Sequence, residues 1–580
     1  MKSSLLFLTL ACTALNAQDW IAKSNQYTQM LLDVSKKYSP EQASREGLSE
    51  YDEKISAPTL ANERAERKDT EAVLGKLKQA ATVESNKYVA QDLAILINAT
   101  ELEFRADDYA ESSQVPLLNA STFVFRGFQS LLDDQTAPER RQAALIRLKK
   151  YAGLMDGYRP ITEILQQRVE EQMAKPNVVY PSRQSVEVEL QRNPAIVEGI
   201  AEAFRKYKIT GWEDSYAVLK TKLVAYDAWT RENVLPKART DFRLPPEQYA
   251  LNLQRLGIDI PPANVADMAH TAFVKIQDQM SGIAVQIAAQ RHLPSSDYRD
   301  VLRVLKKDQI LGEKIVPFYK QRLADIEQII RDHQIVTLPT RPAIIRLATA
   351  AETVQSPAPH MVPPPFLHNT GQRGSFVLPL NMPAAPGEKN PEKYDDFTYD
   401  AVSWTLIAHE ARPGHELQFD SMVEHGVSLA RALYAFNSTN AEGWGLYSES
   451  LILPYMPLEG QLASLNGRLL RAARAYLDPE LQAGHIQPAD AMRVLTQDVV
   501  QSDGFAREEV ERYTLKMPGQ ANSYYYGYSK LIALRKETEA ALGSKFSALR
   551  YHDFLLSQGL LPPDLMRKAV VEDFIPHEKQ

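Results

Sequence analysis

Cysteine is almost absent from this sequence. The only one among 580 residues is Cys12, which lies close to the N-terminus. Residues 1–17 have the features of a secretory signal peptide, namely an early lysine, an apolar run from about residue 5 to residue 15, and the small residue Ala17 at the end. Cleavage after Ala17 would leave a mature chain without cysteine, which excludes disulfides, a thiol nucleophile and a cysteine metal site.

Cys12 leaves one alternative open, a lipoprotein anchored through this residue. The apolar run before Cys12 is short and Thr9 is a poor residue three positions upstream, so that cleavage after Ala17 is favoured. In both cases the protein is expected to be exported, and the periplasm is the predicted location.

Long apolar runs are lacking beyond the N-terminus, where no stretch approaches the roughly 18 residues that span a bilayer. Blocks of basic residues are lacking too, and the formal charge of −7 is spread over both signs. These two absences predict a protein with no transmembrane helix and no nucleic-acid partner. Hydrophobic content of 44% and charged content of 24% are typical of soluble globular proteins.

Helical periodicity dominates residues 18–354. Segments such as 59–80 and 263–290 repeat apolar residues at three- and four-residue spacing, whereas alternating strand patterns are scarce. Residues 355–397 differ, because eight prolines between 355 and 387 forbid a helix and SFVLPL, residues 375–380, favours an edge strand. Helical patterns resume in residues 398–580. The sequence predicts a mainly α protein in which residues 18–580 form one folded unit.

The strongest chemical signal is HEARPGHELQ, residues 409–418. It begins like the zinc-peptidase motif HExxH, in which two histidines four positions apart share one helical face. Here Pro413 takes the place of the second histidine, and His415 comes two positions later. Since a regular helix turns about 100° per residue, His415 would point roughly 120° away from His409. Pro413 and Gly414 are able to interrupt the helix and return His415 to His409, which predicts irregular backbone there.

A second motif favours a metal site over the alternative of two unrelated polar histidines beside a kinked helix. NAEGWGLYSES, residues 440–450, has a helical pattern with Glu442 and Glu449 seven positions apart on one face. Two histidines and a glutamate form a known catalytic zinc site, so that Glu442 is the candidate third ligand. Glu449 would orient a ligand histidine from behind. The opposing interpretation, a solvated helix face, fits poorly with the neighbouring Trp444.

Three ordered motifs, HEARPGH, EGWGLYSE and PGQANSYYYGYSKL (518–531), resemble those of the bacterial family named domain of unknown function 885. That family resembles the gluzincin-type zinc metallopeptidases. The resemblance implies a large helical fold with a deep cleft and one zinc ion. Carried over to this chain, the resemblance makes His409, His415 and Glu442 the metal ligands and Glu410 the general base, and Gln418 completes the first motif. Tyr524 falls on the family tyrosine, and a phenol near the metal is a candidate donor to the oxyanion. The alternative is that Tyr524 only packs among the neighbouring tyrosines.

The chain departs from the family pattern in RAYLDPELQ, residues 474–482. Gln482 stands where family members often carry a histidine, and a role for that histidine at the substrate would imply altered specificity or weak activity here. Two arginines are candidates for binding a terminal carboxylate, Arg373 beside the extended segment and Arg535 beyond the tyrosine cluster. The extended segment itself is a candidate for pairing with a peptide backbone.

The expected function is zinc-dependent hydrolysis of peptide bonds, with small peptides as substrates cleaved in carboxypeptidase- or dipeptidase-like fashion. The rival from another class is a non-catalytic exported helical binding protein that retains a degenerate peptidase site. A serine hydrolase is disfavoured because the sequence has no GxSxG nucleophile motif. The sequence does not predict the oligomeric state.

Overall fold

Helices make up most of the protein, as predicted. The computed structural model describes residues 4–380 and 395–580, with side chains from Asp19 onward. The predicted signal-peptide side chains, including that of Cys12, therefore lie outside the described residues, as does part of the proline-rich segment. The helices before the sheet are α1 (Ser4–Tyr38), α2 (Pro40–Arg45), α3 (Leu60–Ala81), α4 (Lys87–Ser113), α5 (Ala120–Gln129), α6 (Pro138–Arg141), α7 (Ala143–Tyr151), α8 (Ile161–Met173), α9 (Arg183–Lys206), α10 (Glu213–Asn233), α11 (Pro246–Arg255), α12 (Pro262–Arg291), α13 (Tyr298–Leu305) and α14 (Ile315–Asp332).

The rest of the chain is also mostly helical, and its first helix is α15 (Ala350–Gln355). The remaining α-helices are α16 (Asp400–Leu406), α17 (His415–His425), α18 (Ser438–Ile452), α19 (Leu458–Ala483), α20 (Pro488–Arg493), α21 (Asp503–Glu511), α22 (Asn522–Leu542), α23 (Ala548–Ser557), α24 (Pro563–Ala569) and α25 (Ile575–Lys579). Single π-helical turns extend some of these helices, at Ile407–Ala411, Val494–Asp498, Arg512–Lys516 and Val570–Phe574. A further π-helical turn, Ala430–Tyr434, lies between α17 and α18. Within the described ranges, no helix is both long and apolar enough to cross a membrane.

The periodic segments fold as their patterns predict. Residues 59–80 form α3, whose first turn is capped by the Thr59 hydroxyl accepting a hydrogen bond from the Asn62 amide at 3.2 Å. Residues 263–290 form α12, which starts with Pro262 at its first turn, where a missing amide hydrogen is harmless.

A small sheet interrupts the helices between residues 344 and 378. Its strands are β1 (Ile344–Leu347), β2 (His360–Val362) and β3 (Ser375–Leu378), in the order β1-β3-β2. β3 pairs in parallel with β1 and antiparallel with β2, and all four of its residues are buried. The prediction of an edge strand at SFVLPL is therefore wrong, because β3 lies in the middle and has hydrogen-bonding partners on both sides.

One large hydrophobic core crosses the boundary between residues 354 and 355. Helix α12 packs along α19, and both contribute buried side chains to a cluster that also contains Phe376 of β3 and the side chains around α16 and α18. A second cluster joins α5, α7, α9 and α10 to Ala351 and Val354 of α15. The sheet thus contributes to the first core, while α15, which lies between β1 and β2 in the chain, contributes to the second.

Candidate metal centre

The chain breaks its helix within the HEARPGH motif. Helix α16 passes into the π-helical turn Ile407–Ala411, and the backbone is extended at Arg412, with φ −124° and ψ 134°. The Arg412–Pro413 peptide bond is cis, and α17 starts at His415. This interruption brings the imidazole rings of His409 and His415 to a centroid distance of 4.7 Å, nearly perpendicular to each other.

Two glycines make room for this arrangement. A Cβ at Gly414 would lie 1.9 Å from the carbonyl oxygen of His409, so that no other residue fits there without moving the backbone. A Cβ at Gly445 in α18 would lie 2.6 Å from Cε1 of the His409 ring. The indole of Trp444 donates a hydrogen bond to the carbonyl of Pro413 at 3.0 Å and thereby ties the loop to α18.

A buried ion network lies beneath the same loop. Arg412 is only 1% exposed, and its guanidinium donates to Glu416 at 2.9 Å and to Glu327 at 2.5 Å. Arg341 also contacts Glu416, and it pairs with Asp420 at 2.9 Å. Removing one partner of such a network leaves a buried charge without compensation, so that the network holds the start of α17 in place.

Three candidate ligands converge in the space that the loop creates. The Nε2 atoms of His409 and His415 each lie 3.4 Å from Oε2 of Glu442, and the three ligand atoms are all within 4.8 Å of one another. Two imidazole nitrogens and one carboxylate oxygen are the donor set of a catalytic zinc site, which leaves a further position for water or substrate.

Glu449 sets the orientation of His409. Its Oε1 lies 2.8 Å from Nδ1 of His409, and its Oε2 accepts a hydrogen bond from Thr405 at 2.5 Å. Because an ionised carboxylate only accepts, Nδ1 carries the hydrogen and Nε2 faces the Glu442 oxygen. In the metal-free protein a proton lies between Nε2 and this oxygen, and a metal ion that displaces the proton would use the same two atoms as ligands. By contrast, the buried Nδ1 of His415 has no hydrogen-bond partner in the described part of the chain.

The electrostatics of the three groups agree with this geometry. Burial lowers the pKa of His409, but hydrogen bonds to Glu442 and Glu449 outweigh it and raise the pKa to about 9. Burial raises the pKa of Glu442, yet the two histidines hold it well below its usual range. A site that retains a proton this strongly is one that attracts positive charge.

The predicted general base and oxyanion donor are both beside the candidate ligands. Oε1 of Glu410 lies 4.0 Å from Nε2 of His409. The ring of Tyr524 lies 6.3 Å from that of His409 and nearly parallel to it. Arg512 donates a hydrogen bond to the Tyr524 hydroxyl at 3.1 Å, which leaves the phenolic hydrogen free to point elsewhere. Burial raises the pKa of Tyr524, so that the phenol stays protonated at neutral pH.

These groups line a cavity of about 450 Å³ whose walls come from several parts of the chain. Residues 355–361, including part of β2, form one side, and α19 and the end of α21 form another. The second side carries cationic side chains that sequence reasoning missed (Arg471, Arg474, Arg512 and Lys516). For Arg471 and Arg474 the sequence signal is the recurrence of arginine along the buried part of α19, and Arg512 and Lys516 have no such signal.

Four other predicted residues lie away from this cavity. The Gln418 amide donates to Asn440 at 3.0 Å, and the Gln482 amide bridges the Tyr513 carbonyl and the Leu244 amide at 2.8 and 2.9 Å. Because both polar atoms of Gln482 are bonded to backbone groups and its side chain is not among the cavity walls, Gln482 does not take up a position at the substrate in place of the family histidine.

The two arginines that were predicted to bind a terminal carboxylate also lie away from this cavity. Arg373 donates to the carbonyl of Pro342 at 2.5 Å and borders a separate cavity. Arg535 pairs with Glu539 at 2.7 Å and contacts the Tyr447 hydroxyl at 3.3 Å. Neither guanidinium reaches the cavity of the candidate ligands, because each is held by partners on its own side of the molecule.

Comparison with known proteins identifies the family. The family model described as "Bacterial protein of unknown function (DUF885)" matches residues 40–570, which is most of the chain, and the chain therefore belongs to this family. The comparison with curated proteins gave no match.

Two solved structures share the fold. The first, from Shewanella oneidensis, is 18% identical over 94% of this chain and 99% of its own, with a TM-score of 0.70. The second, from Colwellia psychrerythraea, is 17% identical over 96% of this chain and 99% of its own, with a TM-score of 0.74. Both are described as "putative" lipoproteins, the first with the addition that its function is unknown.

Proposed function

We propose that this member of the DUF885 family is an exported zinc-dependent peptidase that hydrolyses amide bonds of peptides. The observation that carries the proposal is the convergence of His409, His415 and Glu442 within 4.8 Å, with the Glu410 carboxylate beside them in a cavity. The donor set suits zinc, and one ion per chain is proposed. When bound, zinc would polarise the scissile carbonyl and lower the pKa of a water molecule.

Glu410 is the proposed general base. Its carboxylate takes a proton from the attacking water as the new carbon–oxygen bond forms, and then gives that proton to the amine nitrogen as the carbon–nitrogen bond breaks. The products are one free carboxylate and one free amine, with no other reactant needed. Since Glu410 follows His409 directly in the π-helical turn, the position of the base is set by the same backbone as that of the ligand.

Tyr524 is the proposed oxyanion donor. Its hydroxyl accepts from Arg512, so that its own hydrogen is available for the oxygen on which negative charge develops. The raised pKa keeps that hydrogen in place over the neutral range. The neighbouring positive charge of Arg512 strengthens the phenol as a donor.

Export is the second part of the proposal. The features of residues 1–17 favour a signal peptide. The description of both structural relatives as lipoproteins supports export to the periplasm and makes anchoring through Cys12 the alternative to test. Mass spectrometry of the mature protein distinguishes a chain that starts at Gln18 from one that starts at a lipidated Cys12.

The proposal is tested by metal analysis and hydrolysis on the full mature chain. We expect one zinc per chain, loss of that zinc in His415→Ala, and retention in His425→Ala, whose exposed side chain lies at the end of α17. Glu410→Gln should bind zinc and lose about 10²- to 10⁴-fold in the rate of cleavage of a mixed peptide library. Hydrolysis by Glu410→Gln at the wild-type rate would show that the base is wrong. A protein that binds no stoichiometric zinc would refute the peptidase, and zinc binding without hydrolysis would favour a binding protein.

A further inference from the structure

Among the described residues, five lysine and arginine side chains line the cavity of the candidate ligands, and carboxylates neutralise three of them. Lys306 contacts Asp396 at 2.6 Å and Asp395 at 3.0 Å. Arg474 donates two hydrogen bonds to Glu509, at 2.7 and 2.6 Å. Lys516 contacts Glu508, with Glu511 at 3.4 Å. Each of these three cations has at least one carboxylate within ordinary hydrogen-bond distance.

Arg471 is the first cation without such a carboxylate. Its closest carboxylate contact joins Nη2 to Oε1 of Glu449 at 3.5 Å, and that oxygen already accepts from Nδ1 of His409. Nη1 donates to the carbonyl of Gly467 at 3.1 Å, while the buried Nε has no hydrogen-bond partner among the described residues.

Arg512 is the second cation without a carboxylate within ordinary hydrogen-bond distance. Its Nη1 lies 3.5 Å from Oε1 of Glu509, whose two oxygens are already used by Arg474 and the Tyr513 hydroxyl. Among the described residues, its one close side-chain hydrogen bond is to the neutral Tyr524 hydroxyl. A guanidinium offers five hydrogens, so that most of the donor capacity of Arg512 remains for another group.

Both incompletely neutralised guanidiniums surround the same phenol. The Cζ atoms of Arg471 and Arg512 lie 6.0 and 5.5 Å from the centre of the Tyr524 ring, and that ring is 6.3 Å from the ring of His409. A largely buried cation is unfavourable when its closest carboxylate is 3.5 Å away and already accepts a hydrogen bond from another group, and a ligand that brings its own anion reduces this penalty. We infer that Arg471 and Arg512 form a carboxylate-binding subsite of the proposed peptidase, so that its substrates carry a carboxylate close to the bond that is cut.

The chemistry of peptides gives two sources for this carboxylate. Consecutive residues are about 3.8 Å apart, and the terminal carboxylate of a peptide therefore lies within one residue of its last amide bond. Binding of that group would direct cleavage to the C-terminal residue. The other source is an aspartate or glutamate side chain next to the scissile bond. The planar guanidinium binds either carboxylate with two parallel hydrogen bonds.

The test measures binding without turnover, on zinc-loaded Glu410→Gln protein, by calorimetry with three tripeptide mixtures. The first has free C-termini, the second is amidated, and the third is amidated and contains one aspartate. We expect at least one carboxylate-bearing mixture to bind about 10- to 100-fold more tightly than the second, since a charged hydrogen bond contributes in this range. Preference for the first identifies the terminal carboxylate, and preference for the third alone identifies the acidic side chain.

Variants in the same background assign the preference to the two arginines. Arg512→Gln and Arg471→Gln should each reduce the binding preference for carboxylate-bearing peptides at least tenfold, and Arg512→Lys should keep part of this preference. The guanidinium of Arg535 lies outside the cavity, so Arg535→Gln should leave the preference for carboxylate-bearing peptides unchanged. Equal binding of all three mixtures, or a preference that survives both glutamine variants, overturns the subsite. If the preference follows the arginines but the wild-type protein hydrolyses no peptide, the subsite stands and the peptidase proposal fails.

Discussion

Replacing Gly445 by alanine adds a single methyl group against the imidazole of His409. The added carbon would lie 2.6 Å from Cε1, 2.8 Å from Nε2 and 2.9 Å from Nδ1 of that ring. Carbon atoms pack best at about 3.5–4.0 Å, so the ring must retreat by about 1 Å. A movement of this size also lengthens the 2.8 Å hydrogen bond from His409 to Glu449 beyond the usual limit.

The expected result is a large loss of zinc affinity without loss of the fold. Removing the partner behind a metal-ligating histidine weakens binding about 10- to 100-fold, and displacing the ring itself adds to this, so that we expect about 100-fold or more for Gly445→Ala. Alanine is favoured over glycine inside a helix by about 1 kcal/mol, which opposes any destabilisation from the contact. The melting temperature of the metal-free protein should therefore change little.

Competition with a chromophoric zinc chelator measures the affinity, and thermal unfolding measures the fold. Gly282→Ala is the matched control, because Gly282 is also inside a long helix and an added Cβ there has nothing within 4 Å. The control should keep wild-type zinc affinity. If Gly445→Ala binds zinc as tightly as the control, then His409 is not a ligand in the position described, and the proposed metal centre is wrong.

Three further predictions concern pH and buried charge. A proton must leave His409 before a metal binds, and the pKa of His409 is raised to about 9. Zinc affinity should therefore fall about tenfold per pH unit from pH 9 to pH 7. Chelator competition at several pH values checks this prediction, and a flat profile contradicts it. Glu416→Ala removes the buried carboxylate that contacts both Arg412 and Arg341, and it should lower the free energy of unfolding by about 3–5 kcal/mol in denaturant titrations. A loss below about 1 kcal/mol would show that the network is unimportant. Burial lowers the pKa of His552 to about 4 in the folded protein, whereas a histidine in the unfolded chain has a pKa near 6.5. As the pH drops, the unfolded chain therefore takes up this proton first. The free energy of unfolding should fall by up to about 3 kcal/mol between pH 6.5 and pH 4. His552→Gln should flatten the pH dependence in that window, and an unchanged slope would assign it to other groups.

Local sequence patterns predicted the helices and the irregular backbone of the motif. Helix α12 follows from apolar spacing within a single segment, and the break near Pro413 follows from two adjacent residues that disfavour a regular helix. In both cases the physical cause lies within a few positions of the effect.

The parts that sequence reasoning missed depend on contacts between distant segments. SFVLPL was assigned to an edge because β2 has only three residues and lies among prolines, where no strand pattern is visible. Gln482 is occupied by backbone groups from residues 244 and 513, and neither contact leaves a trace near position 482. The cationic wall was missed for the same reason, because Arg471 of α19 and Arg512 of the π-helical turn after α21 come to the same place only through their packing around the Tyr524 ring.

The contact between α18 and α22 has a consequence for motion. A Cβ at Gly527 would lie 2.0 Å from the carbonyl oxygen of Thr439, and a Cβ at Gly443 would lie 2.7 Å from the backbone of Gly527, so that the two helices touch backbone to backbone. Helices in such contact neither slide nor rotate freely, and Glu442 and Tyr524 therefore move as one rigid body. Any widening of the cavity beside them must therefore involve its other walls, among them residues 355–361.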